Sequence, residues 1–109
     1  NMRPLPYRVE TATGDTLNIT FPLHSGTASP VRVNQLLTAI LDAIDQDIKV
    51  CGETGNGDVL QAAAMALAVR ARMIHAPTNV TAELSSQLLE EALNAAGTAE
   101  RVEPESGNA

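Results

Sequence analysis

Aromatic side chains are nearly missing from this chain. Tyr7 and Phe21 are the whole set, and there is no tryptophan. A core must therefore be built from Ala, Leu, Val, Ile and three Met. Helices packed through Ala approach closely, yet each Ala buries little area. Two distant rings are also too few for single-stranded nucleic acid, which leans on stacked bases. Basic residues are scarce as well. Seven Lys and Arg stand against thirteen Asp and Glu, for a net charge of −6. Affinity for duplex DNA needs clustered cations, and only Arg70 and Arg72 lie close together. Nucleic acid is thus not an expected partner, and an acidic surface disfavours anionic membranes.

Cys51 is the single cysteine, so no intramolecular disulfide forms. That usage fits a reducing compartment. The opening NMRPLPYRVE lacks the apolar core of a secretory signal, so the expected location is the cytoplasm. The triplets Asn18-Ile19-Thr20 and Asn79-Val80-Thr81 are then chance matches to a glycosylation site. The longest nearly apolar run, Val59 to Val69, covers 11 residues. A membrane span needs about 20.

That same run is the most informative feature present. Between Val59 and Val69 only Gln61 is polar. A surface helix shows a polar face with a period of 3.6 residues, and this segment shows almost none. The helix expected over residues 58–74 must be covered nearly all round. A chain of 109 residues has few elements to cover it, so a second copy is an expected contributor and a homodimer is the expected state.

Elsewhere the periodicities are ordinary. Residues 1–6 carry two prolines and read as an extended lead-in. Tyr7 and Val9 alternate with Arg8 and Glu10. Thr13-Gly14-Asp15 is a turn signal, and Leu17, Ile19 and Phe21 alternate with Asn18 and Thr20. This is a β-hairpin with one wet face. Ser29-Pro30 opens a helix with Ser as cap and Pro in the first helical position. Val33, Leu37, Ile40, Ile44 and Ile48, widened by Leu36 and Leu41, form its apolar stripe. The glycines of CGETGNG (residues 51–57) end it, and Asp58 reads as the cap of the apolar helix. A third helix is expected from about Thr81 to Ala96, with Leu84, Leu88, Leu89, Ala92 and Leu93 on one side and Gly97 as its C-cap. The fold class is α+β: an N-terminal hairpin packed on three helices, β-β-α-α-α, with the Ala-rich helix central. Residues 1–97 form a single domain, and 98–109 are a polar, disordered tail.

Candidate chemistry is thin. Gly52 and Gly57 have the spacing of a phosphate-binding loop, but Asp58-Val59 stands where that motif needs Lys and Ser or Thr. A plain interhelical turn explains the glycines. The loop from His24 to Arg32 is the better anion candidate. His24, Ser25 and Ser29 supply polar groups at a helix N-terminus, and Arg32 is near in sequence. An ordinary strand-to-helix connection uses the same residue types and is preferred. Arg70, Arg72 and His75 suit the negative end of a helix dipole without any ligand. His24, Cys51 and His75 are scattered singly, and Asp42, Asp45 and Asp47 read as a solvated face, so no metal site is expected. Glu90-Glu91 points in two directions on a helix and reads as surface. No nucleophile-and-base motif occurs, so no catalytic residue and no cofactor are assigned.

The function these features favour is a small homo-oligomeric protein-interaction module, an accessory or regulatory subunit. The runner-up is a small-molecule or anion-binding protein, enzyme or not, using residues 24–32. A helix-turn-helix regulator made from the last two helices is disfavoured by the charge.

Overall fold

The computed structural model describes residues 3–105. Its elements are β1 (Arg3–Glu10), β2 (Thr16–Leu23), α1 (Pro30–Cys51), α2 (Asn56–Met73), α3 (Thr78–Gly97) and β3 (Glu100–Val102). The chain is α+β, with the hairpin and three helices in the expected order. It divides into two compact units, residues 1–30 with 89–109 and residues 31–88, here called the sheet unit and the helical unit.

In the sheet unit the three strands are antiparallel in the order β1-β2-β3. The pairs Leu5↔Phe21, Tyr7↔Ile19 and Val9↔Leu17 place all the alternating apolar residues on one face. Leu5, Ile19 and Leu23 on that face are buried, while Pro4, Pro6, Arg8, Asn18 and Thr20 on the other are exposed. β1 starts at Arg3, earlier than the alternation beginning at Tyr7 suggests, because both prolines fit an edge strand. Neither Pro4 nor Pro22 has an N–H, and they lie opposite each other. Theirs is therefore a non-bonded pair of the ladder, and alternation makes the odd-numbered pairs the bonded ones. The backbone groups of Pro4 and Pro6 then face away from β2, along an edge that lacks two of its donors.

The turn between β1 and β2 is held by Thr11. Its N–H donates to the Asp15 carbonyl at 2.8 Å, its carbonyl accepts from Gly14 N–H at 3.0 Å, and its hydroxyl accepts from Asp15 N–H at 3.1 Å. Gly14 has φ +92°, a left-handed conformation that glycine adopts without a Cβ penalty. β3 was not legible as a strand and lies in the segment read as a polar tail. It pairs through Thr16↔Val102, Leu17↔Arg101 and Asn18↔Glu100, and Arg101 forms an ion pair with Asp15. Three residues, all exposed, carry too short a pattern to register as a strand.

In the helices, α1 shows the expected stripe. Val33, Leu37, Leu41, Ile44 and Ile48 are half-buried at spacings of four and three. Leu36 and Ile40 belong to its rim and are exposed. Gly52, at φ +90°, closes the helix by donating its N–H to the Ile48 carbonyl at 2.8 Å. α2 starts at Asn56, so Asp58 is not its cap. Gly55 is the cap residue, and no side chain bonds there. Gly55 carbonyl accepts from Asp58 N–H at 3.0 Å and Val59 N–H at 3.2 Å. Asp58 instead sits inside the first turn, where its charge complements the helix dipole.

α2 ends at Met73, and Ile74 turns to extended backbone before Ala76-Pro77. α3 begins at Thr78, earlier than Thr81, because the Pro77 carbonyl accepts from Val80 and Thr81 N–H at 3.0 and 3.3 Å. Gly97 is the last helical residue and not a left-handed cap. Thr98 finishes α3, its hydroxyl donating to the carbonyls of Asn94 at 3.0 Å and Ala95 at 3.3 Å.

Candidate functional site

The His24 to Arg32 loop is built from two parts. His24 and Thr27 close a tight turn, Thr27 N–H donating to the His24 carbonyl at 2.9 Å. Gly26 N–H donates to His24 Nδ1 at 2.9 Å. Two backbone donors that an anion would want are thus directed inward. Arg3 donates to the Thr27 carbonyl and fixes the same turn against β1. Ser25 is exposed and Ser29 is half-buried just ahead of Pro30. These three residues, His24, Ser25 and Ser29, lie in the sheet unit. Arg32 belongs to the helical unit, where its guanidinium donates to Gln35 Oε1 at 2.6 Å, one turn along α1.

The other polar candidates are ordinary surface. Arg70 reaches Met73 Sδ at 3.5 Å on its own helix. Asp42, Asp45 and Asp47 are exposed along α1, and Cys51 is an exposed free thiol at its end. Among the described residues no three His, Cys, Asp or Glu side chains gather where a metal ion could be held. No helix among them is long and apolar enough to cross a membrane.

What stands out is apolar. In the helical unit no apolar side chain is buried among the described residues. Neither α1 nor α2 contains a buried residue of any kind, and the one buried side chain of α3 is Thr81. Leu60 is 71% exposed, Met65 58% and Val69 54%. Met73, Ile74, Val80, Leu84 and Leu88 are exposed too. A scattered exposed Leu is normal, but α2 and α3 each show several such side chains. The polarity of α2 is low as well. α2 carries only Asp58, Arg70 and Arg72 as charged residues, all near its ends. The sequence points to the 58–74 helix as needing cover, through its missing polar face; Val80, near the start of α3, is not part of that pattern.

No family model, no curated protein and no solved structure matches this chain.

Proposed function

We propose that this chain works as a protein-interaction module, an accessory or regulatory subunit whose working surface is the apolar side of its helical unit. One observation carries the reading. A unit of three helical segments buries no apolar side chain of its own while Leu60, Met65 and Val69 face solvent. Ordering a residue costs about 1–2 kcal/mol of backbone entropy, and hydrophobic burial is the main term opposing that cost. A partner surface supplies the missing burial. The exposed lone thiol of Cys51 suits a reducing cytoplasm, where it stays unpaired. The ligand reading of residues 24–32 has weaker support, since Gly26 N–H is occupied by His24.

Photo-crosslinking in cells tests the proposal. A photoreactive amino acid replaces Met65 in one variant and Asp45, on the wet side of α1, in another. Protein adducts at position 65, and few at 45, are the expected result. No adduct at 65 would sink the interaction reading.

A further inference from the structure

We propose that β3 is a strap, a segment that opens and closes on the edge of β2 while the β1–β2 hairpin stays intact, and that the Asp15–Arg101 ion pair holds it shut. The two halves of the sheet are held differently. β1 and β2 pair along eight residues each, and their shared apolar face buries Leu5, Ile19 and Leu23. β3 pairs through Glu100, Arg101 and Val102, and all three are exposed. It gains little hydrophobic burial, the main term that opposes the entropy of ordering a chain. A short ladder and a charge hold it instead.

Alternation across the sheet identifies the groups involved. Odd-numbered residues of β2 bond to β1, so the N–H and C=O of Thr16, Asn18 and Thr20 point the other way. β3 meets the first two, through Thr16↔Val102 and Asn18↔Glu100. Between these pairs stands Arg101, whose guanidinium donates to Asp15 Oδ2. That anchor belongs to the hairpin. Asp15 is tied to Thr11 through both its N–H and its carbonyl, and its side chain is 15% exposed against 55% for Arg101. The carboxylate therefore keeps its place when β3 leaves. The tether is short as well. Thr98 and Ala99 alone separate β3 from α3, and both are bonded to the last turn of that helix, Thr98 N–H to the Asn94 carbonyl and Ala99 N–H to the Ala96 carbonyl, each at 3.2 Å. A strap on so short a tether returns to the same register.

Opening changes what the sheet presents. With β3 closed, the ladder covers β2 as far as Asn18. With β3 open, Thr16, Asn18 and Thr20 offer backbone donors and acceptors in one row, and an edge of that kind pairs with an extended segment. Pro22 ends the row, since it has no N–H. This device lies wholly within the sheet unit and is independent of what the helical unit meets.

Amide hydrogen exchange on the whole chain, followed residue by residue by NMR, tests the strap. The Thr16 and Asn18 amides report on β3, and the Leu17 and Ile19 amides, bonded to β1, report on the hairpin. Asn18 stands between Leu17 and Ile19, so fraying of the hairpin end does not separate them. In the wild type Thr16 and Asn18 should be less protected than Leu17 and Ile19, because a local opening costs less than loss of the whole unit. Arg101→Ala should speed exchange at Thr16 and Asn18, relative to Ile19, by about 1.5- to 5-fold, the range of an exposed ion pair. Arg101→Lys should restore most of the protection. At about 1 M salt the wild type should approach the alanine variant. Equal protection at Asn18 and its two neighbours in the wild type would overturn the strap, since β3 would then open only with the hairpin. So would a ratio that Arg101→Ala leaves unchanged, or one that Arg101→Lys changes as much as Arg101→Ala does.

Discussion

The helical unit of this chain is richer in apolar residues than the sheet unit, yet it is the sheet unit that buries them. In the sheet unit, Leu5, Ile19 and Leu23 lie on one face of a hairpin and are buried. In the helical unit, Leu, Ile, Val and Met side chains recur at helical spacing, and none is buried among the described residues. Local pattern alone does not explain the difference. Both α1 and the hairpin are amphipathic by the period of their own secondary structure. A two-fold period on paired strands aligns one row of side chains with another within a few residues of chain, so the face is assembled locally. A helix presents its stripe outward and gains nothing until another element arrives. The sheet unit states its packing in its own sequence, and the helical unit states a requirement.

The sharpest way to break this comparison is a charge on α2. Met65→Glu should abolish capture of a partner protein by the helical unit, while Thr20→Glu, on the wet face of β2, should leave capture intact and shift stability by no more than about 0.5 kcal/mol. Co-purification from cells and the denaturant midpoint decide it. If Met65→Glu behaves like Thr20→Glu, the exposed face of α2 is simply surface and the two units differ less than argued. Next in size is Ile19→Ala. Removing a buried side chain from the apolar face of the sheet should cost about 2–5 kcal/mol, read from the denaturant midpoint at fixed protein concentration. An unchanged midpoint would show that the sheet unit has no core either.

Smaller effects compare the turns. Gly14 and Gly52 stand one in each unit, at φ +92° and +90°. Placing a Cβ in a left-handed backbone costs about 1–2 kcal/mol, so Gly14→Ala and Gly52→Ala should lower the midpoint by similar amounts. A Cβ at Gly14 would meet Pro104 only at an ordinary 3.5 Å, and one at Gly52 would meet nothing within 4 Å. Backbone conformation, then, and not crowding, sets both losses. A clear inequality would point to crowding at the turn.

The smallest effect belongs to the Asp15–Arg101 ion pair. The Arg101 side chain is 55% exposed, and exposed pairs contribute about 0.2–1 kcal/mol. Arg101→Ala should fall in that range at low salt and lose most of its effect at 1 M salt, where the screening length is about 3 Å. A larger, salt-independent loss would mean that β3 contributes more to the sheet unit than its three residues suggest.

Much of the architecture was legible because it rests on repeated local signals. Tyr7, Val9, Leu17, Ile19 and Phe21 alternate, and the α1 stripe runs from Val33 to Ile48 with a constant period. What was not legible had a signal of one or two residues. Pro4 and Pro6 looked like a lead-in because proline usually interrupts a strand, and only their place on an edge reconciles them with β1. Asp58 looked like a cap because its residue type favours caps, yet the Gly55 carbonyl opens α2. Gly97 has the residue type of a helix terminator, but the Thr98 hydroxyl does that work. Within the 24–32 loop, residue types pointed to an anion. Whether Gly26 N–H was open to a ligand or bonded to His24 depends on a turn geometry that no residue list encodes.

The two prolines of β1 have a consequence for how far assembly can run. An open strand edge is a template for stacking without end whenever copies of a chain meet. Growth along that edge would require amide donors at positions 4 and 6, and proline has none. The stretch of β1 from Pro4 to Pro6 is therefore a poor seed for a filament.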